Sequence, residues 1–250
     1  MSENEERKNV KLEDRSQEEL VRFIMNMSQR QAVHNALWFS EVDHQLGMKP
    51  ALDALEKVTE EFSRIEMERL GKSLGFEVKN GVPAPLLNIP REKLLELTGE
   101  ISKNWLAMDG LWFQSLEKKY GMNDAKRCND SCWHRFSQVE ARMIKYFLGL
   151  PERAGLEGLQ QALGYRMYSR INVQSIIKES DSSIVFQMND CRVQSARKRK
   201  GMDDYPCKSA GLVEYGRFAT GIDDRIKTEC LGCPPDKHPE EWFCAWRFSL

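Results

Sequence analysis

The sequence lacks an excess of charge of either sign and lacks any long apolar run. Its 37 Lys and Arg residues balance 38 Asp and Glu residues, so no overall field attracts nucleic acid or a membrane surface. No uninterrupted apolar stretch approaches the roughly 18 residues of a membrane span, and the charged opening residues lack the apolar core of a signal peptide. We therefore predict a cytoplasmic protein whose partner is a small molecule. A membrane partner is not expected, nucleic acid is disfavoured, and homo-oligomerisation stays open.

The sequence also lacks the familiar signatures of catalysis. It contains no Ser/His/Asp arrangement, no phosphate-binding loop and no dinucleotide fingerprint. Its seven cysteines are an odd number, which in a cytosolic chain favours free thiols or metal ligands over a disulfide framework. The residues alone therefore name no substrate, and a metal is the first hypothesis to test.

Residues 16–150 carry a helical pattern and an internal repeat, after a charged lead at 1–15 that is predicted to be disordered. Sliding the sequence along itself aligns residues 36–75 with 110–149 and pairs Trp38 with Trp112. Each unit reads as a long helix, a Gly-Met break and a second helix, which is a helical hairpin. Two such hairpins related by a pseudo-twofold predict a four-helix bundle.

The repeat duplicates polar positions as well as apolar ones. A candidate ligand pocket near the pseudo-twofold comprises Asn35, Trp38, Glu66, Asp109, Trp112 and Glu140. A di-metal site is disfavoured, because neither Glu is followed by the histidine of a Glu-x-x-His motif. The simpler interpretation is that Glu66 and Glu140 each accept the indole N–H of a buried tryptophan.

Residues 151–250 predict an α+β domain. Two pairs of alternating segments read as β-hairpins, with a helix between them, which gives an antiparallel β-β-α-β-β order. The predicted fold class is thus α+β: a helical bundle of two repeated hairpins, followed by a domain built on an antiparallel sheet.

Four cysteines fall at the ends of elements in this second domain. They are Cys191, Cys207, Cys230 and Cys233, with His238 as a reserve ligand. Cys230 and Cys233 form a Cys-x-x-Cys pair in a tight turn, the usual way for one segment to supply two thiolates to an ion. Tetrahedral zinc is the predicted cofactor, and an iron–sulfur cluster is the alternative. A redox dithiol and unliganded thiols stay open.

The remaining cysteines have simpler interpretations. Cys244 alternates in phase with Trp242, Trp246 and Phe248 and reads as a packing residue, although its joining the metal site is left open. Cys128 and Cys132 lie one helical turn apart and read as helix packing.

Basic residues cluster between two of the predicted ligands. Arg192, Arg197, Arg199 and Lys208 are candidate contacts for a small anion. A solvated basic face is the simpler interpretation, because no aromatic residues interleave with the charges.

The stretches NWLAMDGLWF, CRVQSARKRKG, PCKSAGLVEYGRFA and ECLGCPPD resemble a group of uncharacterised bacterial cytosolic proteins, over most of residues 100–250. That resemblance implies no activity. The strands around Glu229, Cys230 and Cys244 are also similar to vinyl-reductase-type small-molecule-binding domains and to hydrolases of 2-amino-thiazoline-4-carboxylate. Those similarities imply a pocket beside the cysteines and a ring-opening hydrolysis in which a cysteine or a bound metal participates.

Three functions follow from these observations. The first is a metal-containing protein that binds or senses a small molecule. The second is a hydrolase of a small heterocyclic or amide substrate, with Cys230 or Cys233 as nucleophile or with water bound to a metal that keeps an open position. The third is an interaction protein with a structural metal.

Overall fold

The computed structural model describes residues 10–201 and 204–250. Most of the predicted disordered lead, residues 1–9, lies outside this part of the chain. Leu12–Asp14 form one turn of 3-10 helix, and Ser16 then caps the first long helix. The Ser16 side chain accepts a hydrogen bond from the Glu19 N–H, and the Glu19 carboxylate accepts one from the Ser16 N–H, which is a capping box.

The four helices of the two predicted hairpins are present. The first consists of α1 (Gln17–Leu46) and α2 (Met48–Leu74), and the second of α4 (Arg91–Tyr120) and α5 (Met122–Leu148). The breaks have nearly the same backbone geometry, with φ 95° and ψ 167° at Gly47 and φ 88° and ψ 167° at Gly121. The internal repeat therefore extends to the backbone conformation of the turn.

The segment between the hairpins is a compact connector. Val78–Lys79 (β1) pairs with Val82–Pro83 (β2) across an Asn-Gly turn, and Ala84–Leu87 form the short helix α3. Helix α4 continues without interruption through Gly99. A single glycine costs a helix only about 1 kcal/mol, which neighbouring contacts of a 30-residue helix offset.

The C-terminal part confirms the predicted α+β class, but two helices, not one, lie between the two pairs of strands. After α6 (Gly155–Leu163) and a 3-10 turn at Met167–Arg170 come β3 (Val173–Ser180), β4 (Ser183–Asp190), α7 (Arg192–Arg199), α8 (Lys208–Ile222), β5 (Lys227–Gly232) and β6 (Cys244–Ser249). The sheet has the order β3-β4-β6-β5, and every pair is antiparallel. The two predicted hairpins are therefore joined through β4 and β6.

One apolar core lies between the sheet and its helices. Phe186, Trp246 and Phe248 project from β4 and β6, and Phe218 and Ile222 of α8 pack against them. Helix α5 packs closely on α8, since a Cβ added at Gly221 would lie 2.7 Å from the Ala141 Cβ. The second hairpin is thus packed onto the sheet domain.

The chain divides into two compact units, one ending at Phe62 and the other running from Ser63 to Leu250. The cavity and cysteines described below belong entirely to the second unit. The predicted docking of the two hairpins as a four-helix bundle, and the predicted domain limits at 16–150 and 151–250, stay predictions. Within the described residues, no helix combines the length and the apolar character needed to cross a membrane.

We expect Gly121→Ala to lower the free energy of unfolding by about 1–3 kcal/mol, because φ 88° with ψ 167° is a conformation that only glycine adopts without strain. Gly99→Ala is the matched control, because Gly99 lies in the interior of α4, the helix that Gly121 caps. A Cβ there meets no atom within 4 Å, so alanine should raise stability by about 0.5–1 kcal/mol. Urea unfolding of both variants tests this, and equal shifts would contradict it.

Candidate functional site

The second unit encloses a cavity of about 620 Å³. Helices α4, α5, α7 and α8 and the ends of β4 and β6 contribute its walls. The wall contains six aromatic side chains, Phe113, Trp133, Tyr168, Tyr205, Tyr215 and Phe243. Its volume lies within the range of roughly 300–1,000 Å³ that is typical of small-molecule sites.

Four cysteines line one part of this cavity: Cys191, Cys207, Cys233 and Cys244. Cys191 and Cys207 precede the first residues of α7 and α8, and the Cys207 and Cys233 sulfurs lie 3.5 Å apart. The Cys244 side chain also lies close enough to Cys233 to help raise the pKa of its thiol. These three neighbouring thiols form a group that we call the thiol cluster: Cys207, Cys233 and Cys244.

The thiols differ in their acidity. Hydrogen bonds from Cys233 and from the Gln194 amide, which lies 3.5 Å from the sulfur, lower the pKa of Cys207 against the opposing effect of burial. The same contact with Cys207, the one with Cys244 and burial raise the pKa of Cys233 far above its usual range. Burial also raises the pKa of Cys191, to about 12. Cys207 is thus the sulfur that most readily becomes a thiolate, with Cys233 as the proton donor beside it.

Three of the four predicted metal ligands line the cavity, and the fourth does not. Cys230 lies on β5 outside the cavity wall, while Cys244, interpreted from the sequence as packing, lies inside it. His238 contacts the Asp204 carboxylate at 3.1 Å and the Pro239 carbonyl at 2.8 Å instead of the thiols. Within residues 10–201 and 204–250, no group of three or more His, Cys, Asp or Glu side chains is already placed to hold a metal ion.

A buried arginine forms the polar side of the site. Arg166 is only 2% exposed, and its Nε donates to Glu140 Oε2 at 2.8 Å, while its Nη1 lies 2.8 Å from Glu214 Oε1. The guanidinium also lies over the Phe218 ring, 4.6 Å from the ring centroid. We call Glu140, Arg166 and Glu214 the buried ion triad.

The triad has two carboxyl groups and one cation, and the excess carboxyl raises the question of which group holds a proton. The pKa of Glu214 identifies it. Burial raises the pKa of Glu214 to about 7, although Arg166 acts in the opposite direction. Burial would lower the pKa of Arg166, but the Glu140 and Glu214 carboxylates outweigh it and raise that pKa. Arg166 therefore stays charged, and Glu214, which lines the cavity, is the carboxyl that takes up a proton near neutral pH.

The residues of the ligand pocket that the repeat predicts have different surroundings. Asp109 lines the cavity, and burial raises its pKa. Trp112 is 67% exposed and Trp38 is 63% exposed, Asn35 is exposed, and Glu66 is half-buried. The expectation that Glu140 accepts a tryptophan indole N–H is wrong, because its oxygens accept from Arg166 and from the Met167 N–H.

Only some of the candidate anion contacts lie at the cavity. Arg192 and Arg197 line the cavity, whereas Arg199 does not. Lys208 pairs with Asp236 at 2.6 Å, so its charge is already compensated.

Sequence reasoning missed Arg166, Gln194, Tyr205 and Glu214. One signal was available, because Glu214 interrupts the apolar stripe of α8, between Gly211 and Phe218, at helical spacing. A carboxylate in such a stripe needs a buried partner. Nothing in the local sequence marks Arg166 as that partner.

Two further groups of the cavity wall are incompletely satisfied. The Asn172 side-chain oxygen accepts from the Arg192 N–H, but its Nδ2 has no partner within the described residues. The buried Tyr205 hydroxyl likewise lacks one there, while the Tyr205 backbone is fixed by both ends of the Gln194 amide. Buried polar groups without partners are costly, which favours a cavity that accommodates a polar ligand or water.

A family model described as a family of unknown function, DUF6125, matches residues 13–89 and 86–250. The chain belongs to this family. No curated protein and no solved structure matches it. The resemblance to an uncharacterised family is thus confirmed in general form, whereas no match supports similarity to vinyl-reductase-type domains or to 2-amino-thiazoline-4-carboxylate hydrolases.

In this DUF6125 protein we expect Glu214 to make stability fall as pH rises from about 4.5 to about 7. The folded state holds the Glu214 proton more tightly than the unfolded chain does, so its contribution is complete below the unfolded pKa near 4.5 and is lost as pH reaches the folded pKa of about 7. The loss is on the order of 3 kcal/mol.

Glu214→Gln, which stays neutral, should flatten this part of the stability profile measured by urea unfolding. Asp109, whose pKa is also raised by burial, should supply a residual slope. Glu240→Gln, at an exposed carboxylate, is the control and should follow the wild type. An unchanged slope in Glu214→Gln would show that another group carries the proton.

Proposed function

We propose that the protein binds a small molecule in the 620 Å³ cavity and that the thiol cluster at its wall binds zinc. The observation that carries the proposal is the combination, in one cavity, of contacting sulfurs, aromatic walls and buried charged groups. Pockets of this size that are mainly apolar and contain a few polar groups are the usual form of small-molecule sites. A binding or sensing role fits such a site without a complete catalytic set.

The proposed zinc ligands are Cys207, Cys233 and Cys244 of the thiol cluster, with Cys191 as the fourth. This set replaces Cys230 of the sequence-based prediction by Cys244. Thiolates and zinc form tetrahedral complexes with Zn–S distances of roughly 2.3 Å, which separate the sulfurs by about 3.8 Å. The 3.5 Å between Cys207 and Cys233 is close to that separation. The other two sulfurs must turn toward a shared centre, because the described side chains form no ready metal group.

Zinc bound there would fix the N-terminal ends of α7 and α8 to the ends of β5 and β6, since Cys191 and Cys207 precede the two helices. It would also keep the thiols deprotonated, because metal binding competes with protons for thiolate sulfur. Four protein thiolates close the coordination sphere. This ligand set therefore supports a structural or sensing role for the metal.

We expect wild-type protein purified without oxygen to contain one colourless equivalent of zinc, measured by elemental analysis. Cys207→Ser, Cys233→Ser and Cys244→Ser should each lose most of it, since a missing thiolate leaves an incomplete site. Cys230→Ser, on β5 three residues before Cys233, and Cys128→Ser, exposed on α5, should retain it.

Retention of stoichiometric zinc in both Cys207→Ser and Cys233→Ser would contradict the site. Loss in Cys230→Ser with retention in Cys244→Ser would restore the sequence-based ligand set. Broad absorption near roughly 400 nm would indicate an iron–sulfur cluster instead. Absence of metal together with one rapidly alkylated thiol would favour the nucleophilic hydrolase.

We expect Gly110→Leu to weaken small-molecule binding without destabilising the protein. Gly110 lines the cavity from α4, and a Cβ there meets only the Gln114 amide, at 4.0 Å. A leucine would fill cavity space and also raise helix propensity by up to about 1 kcal/mol. Gly99→Leu, on α4 but outside the cavity wall, is the matched control.

A thermal-shift screen of small metabolites on wild-type protein, with hits confirmed by calorimetry, supplies the ligands for this comparison. Hits should bind Gly99→Leu normally and Gly110→Leu at least about tenfold more weakly. Equal affinity for the two variants would show that the ligands bind outside the cavity.

A further inference from the structure

Two helices give the cavity charged stripes of opposite sign. The stripe of α4 consists of Leu106, Asp109, Gly110, Phe113, Gln114 and Glu117, which share one face at three- and four-residue spacing. The segment from Arg192 to Lys200 presents Arg192, Val193, Ala196, Arg197 and Lys200 in the same manner. One stripe is therefore acidic and the other basic.

The two stripes do not neutralise each other. In residues 10–201 and 204–250, the side chains of Asp109, Glu117, Arg192 and Lys200 take part in no hydrogen bond or ion pair. Arg197 has an interaction of its own and is not used further. Four charged groups of both signs are thus available to a molecule that fills the cavity.

Asp109 has the greatest need of a partner. It is partly buried in the cavity wall and its carboxyl is desolvated with no cation beside it. A cationic group would stabilise the charged carboxylate far more in this setting than on an exposed surface. Arg192 is held in place by its backbone, whose N–H donates to the Asn172 side chain at 2.9 Å, while its side chain is exposed at the cavity.

We propose that the cavity takes a small zwitterion, with its anionic group at Arg192 and its ammonium group at Asp109. The aromatic wall packs along the middle of the molecule. This inference rests on the proposed binding function and names the chemical class of its ligand. A neutral apolar ligand would leave both Asp109 and Arg192 unpaired, and a ligand of one charge would leave one of them so.

The test uses zwitterions of graded length and their singly charged analogues. The series runs from 4-aminobutyrate to 8-aminooctanoate and includes 4-(aminomethyl)benzoate, which has a rigid aromatic middle. For each length the controls are the carboxylate without the amine and the amine without the carboxylate. We expect calorimetry to show at least one zwitterion binding wild-type protein about tenfold more tightly than both of its analogues.

Charge variants identify the residues that hold each end. Asp109→Asn should reduce the affinity of that zwitterion to that of its carboxylate analogue, and Arg192→Gln to that of its amine analogue. Glu92→Gln on α4 and Arg199→Gln on α7 lie outside the cavity wall and should change neither. Circular dichroism and melting temperature verify that each variant is folded.

The outcomes separate this inference from the proposed function. A singly charged analogue that binds as tightly as its zwitterion overturns the zwitterion while leaving a ligand-binding cavity. Absence of binding across the whole series also overturns it, and the comparison of Gly110→Leu with Gly99→Leu on screened ligands then decides the binding function independently. Tight zwitterion binding that Asp109→Asn and Arg192→Gln do not change would place the ligand elsewhere and overturn the assignment.

Discussion

The Arg166 guanidinium lies out of reach of water between the carboxylates of Glu140 and Glu214, and much of the second unit is organised around it. Glu140 belongs to α5 and Glu214 to α8, so one cation joins the second helical hairpin to the helix that covers the sheet. A buried charge must be paired and hydrogen-bonded to be tolerated. Removing one partner from such a group costs roughly 3–5 kcal/mol, which makes the relative position of α5 and α8 strongly dependent on this triad.

The relative position of α5 and α8 determines the shape of the cavity. Glu214 lines it directly, Trp133 and Tyr168 stack 5.7 Å apart beside Arg166, and Tyr215 lies 4.8 Å from Trp246 of the sheet. Gly211 is needed for this packing, because a Cβ there would lie 2.5 Å from the Trp246 ring. The aromatic residues therefore serve the core and the cavity wall at once, and the wall inherits the rigidity of the core.

Periodicity predicted the long helices, the antiparallel strand pairs and the α+β class, because these depend on patterns of a few residues. Cysteine positions at element ends likewise indicated Cys191, Cys207 and Cys233 as neighbours of one site. The assignment of Cys230 and Cys244 depends on the end of β5, where the pairing register shifts between Cys230 and Gly232. Alternation along a strand does not reveal such a shift. Arg166 could not be predicted, since its partners lie 26 residues before it and on a helix after the first β-hairpin.

Two cysteines of the cavity directly precede the helices, α7 and α8, that carry two of its charged residues. Cys191 is followed directly by Arg192, and Cys207 begins the helix that carries Glu214 two turns later. A metal that tightened the four thiols would fix the start of both helices, and with them one cation and one titratable carboxyl of the cavity. Conversely, a ligand paired with Arg192 would restrain the backbone at Cys191. Because each site restrains the same helix ends, ordering one lowers the entropic cost of ordering the other, which is the physical basis on which such a protein would couple metal and ligand.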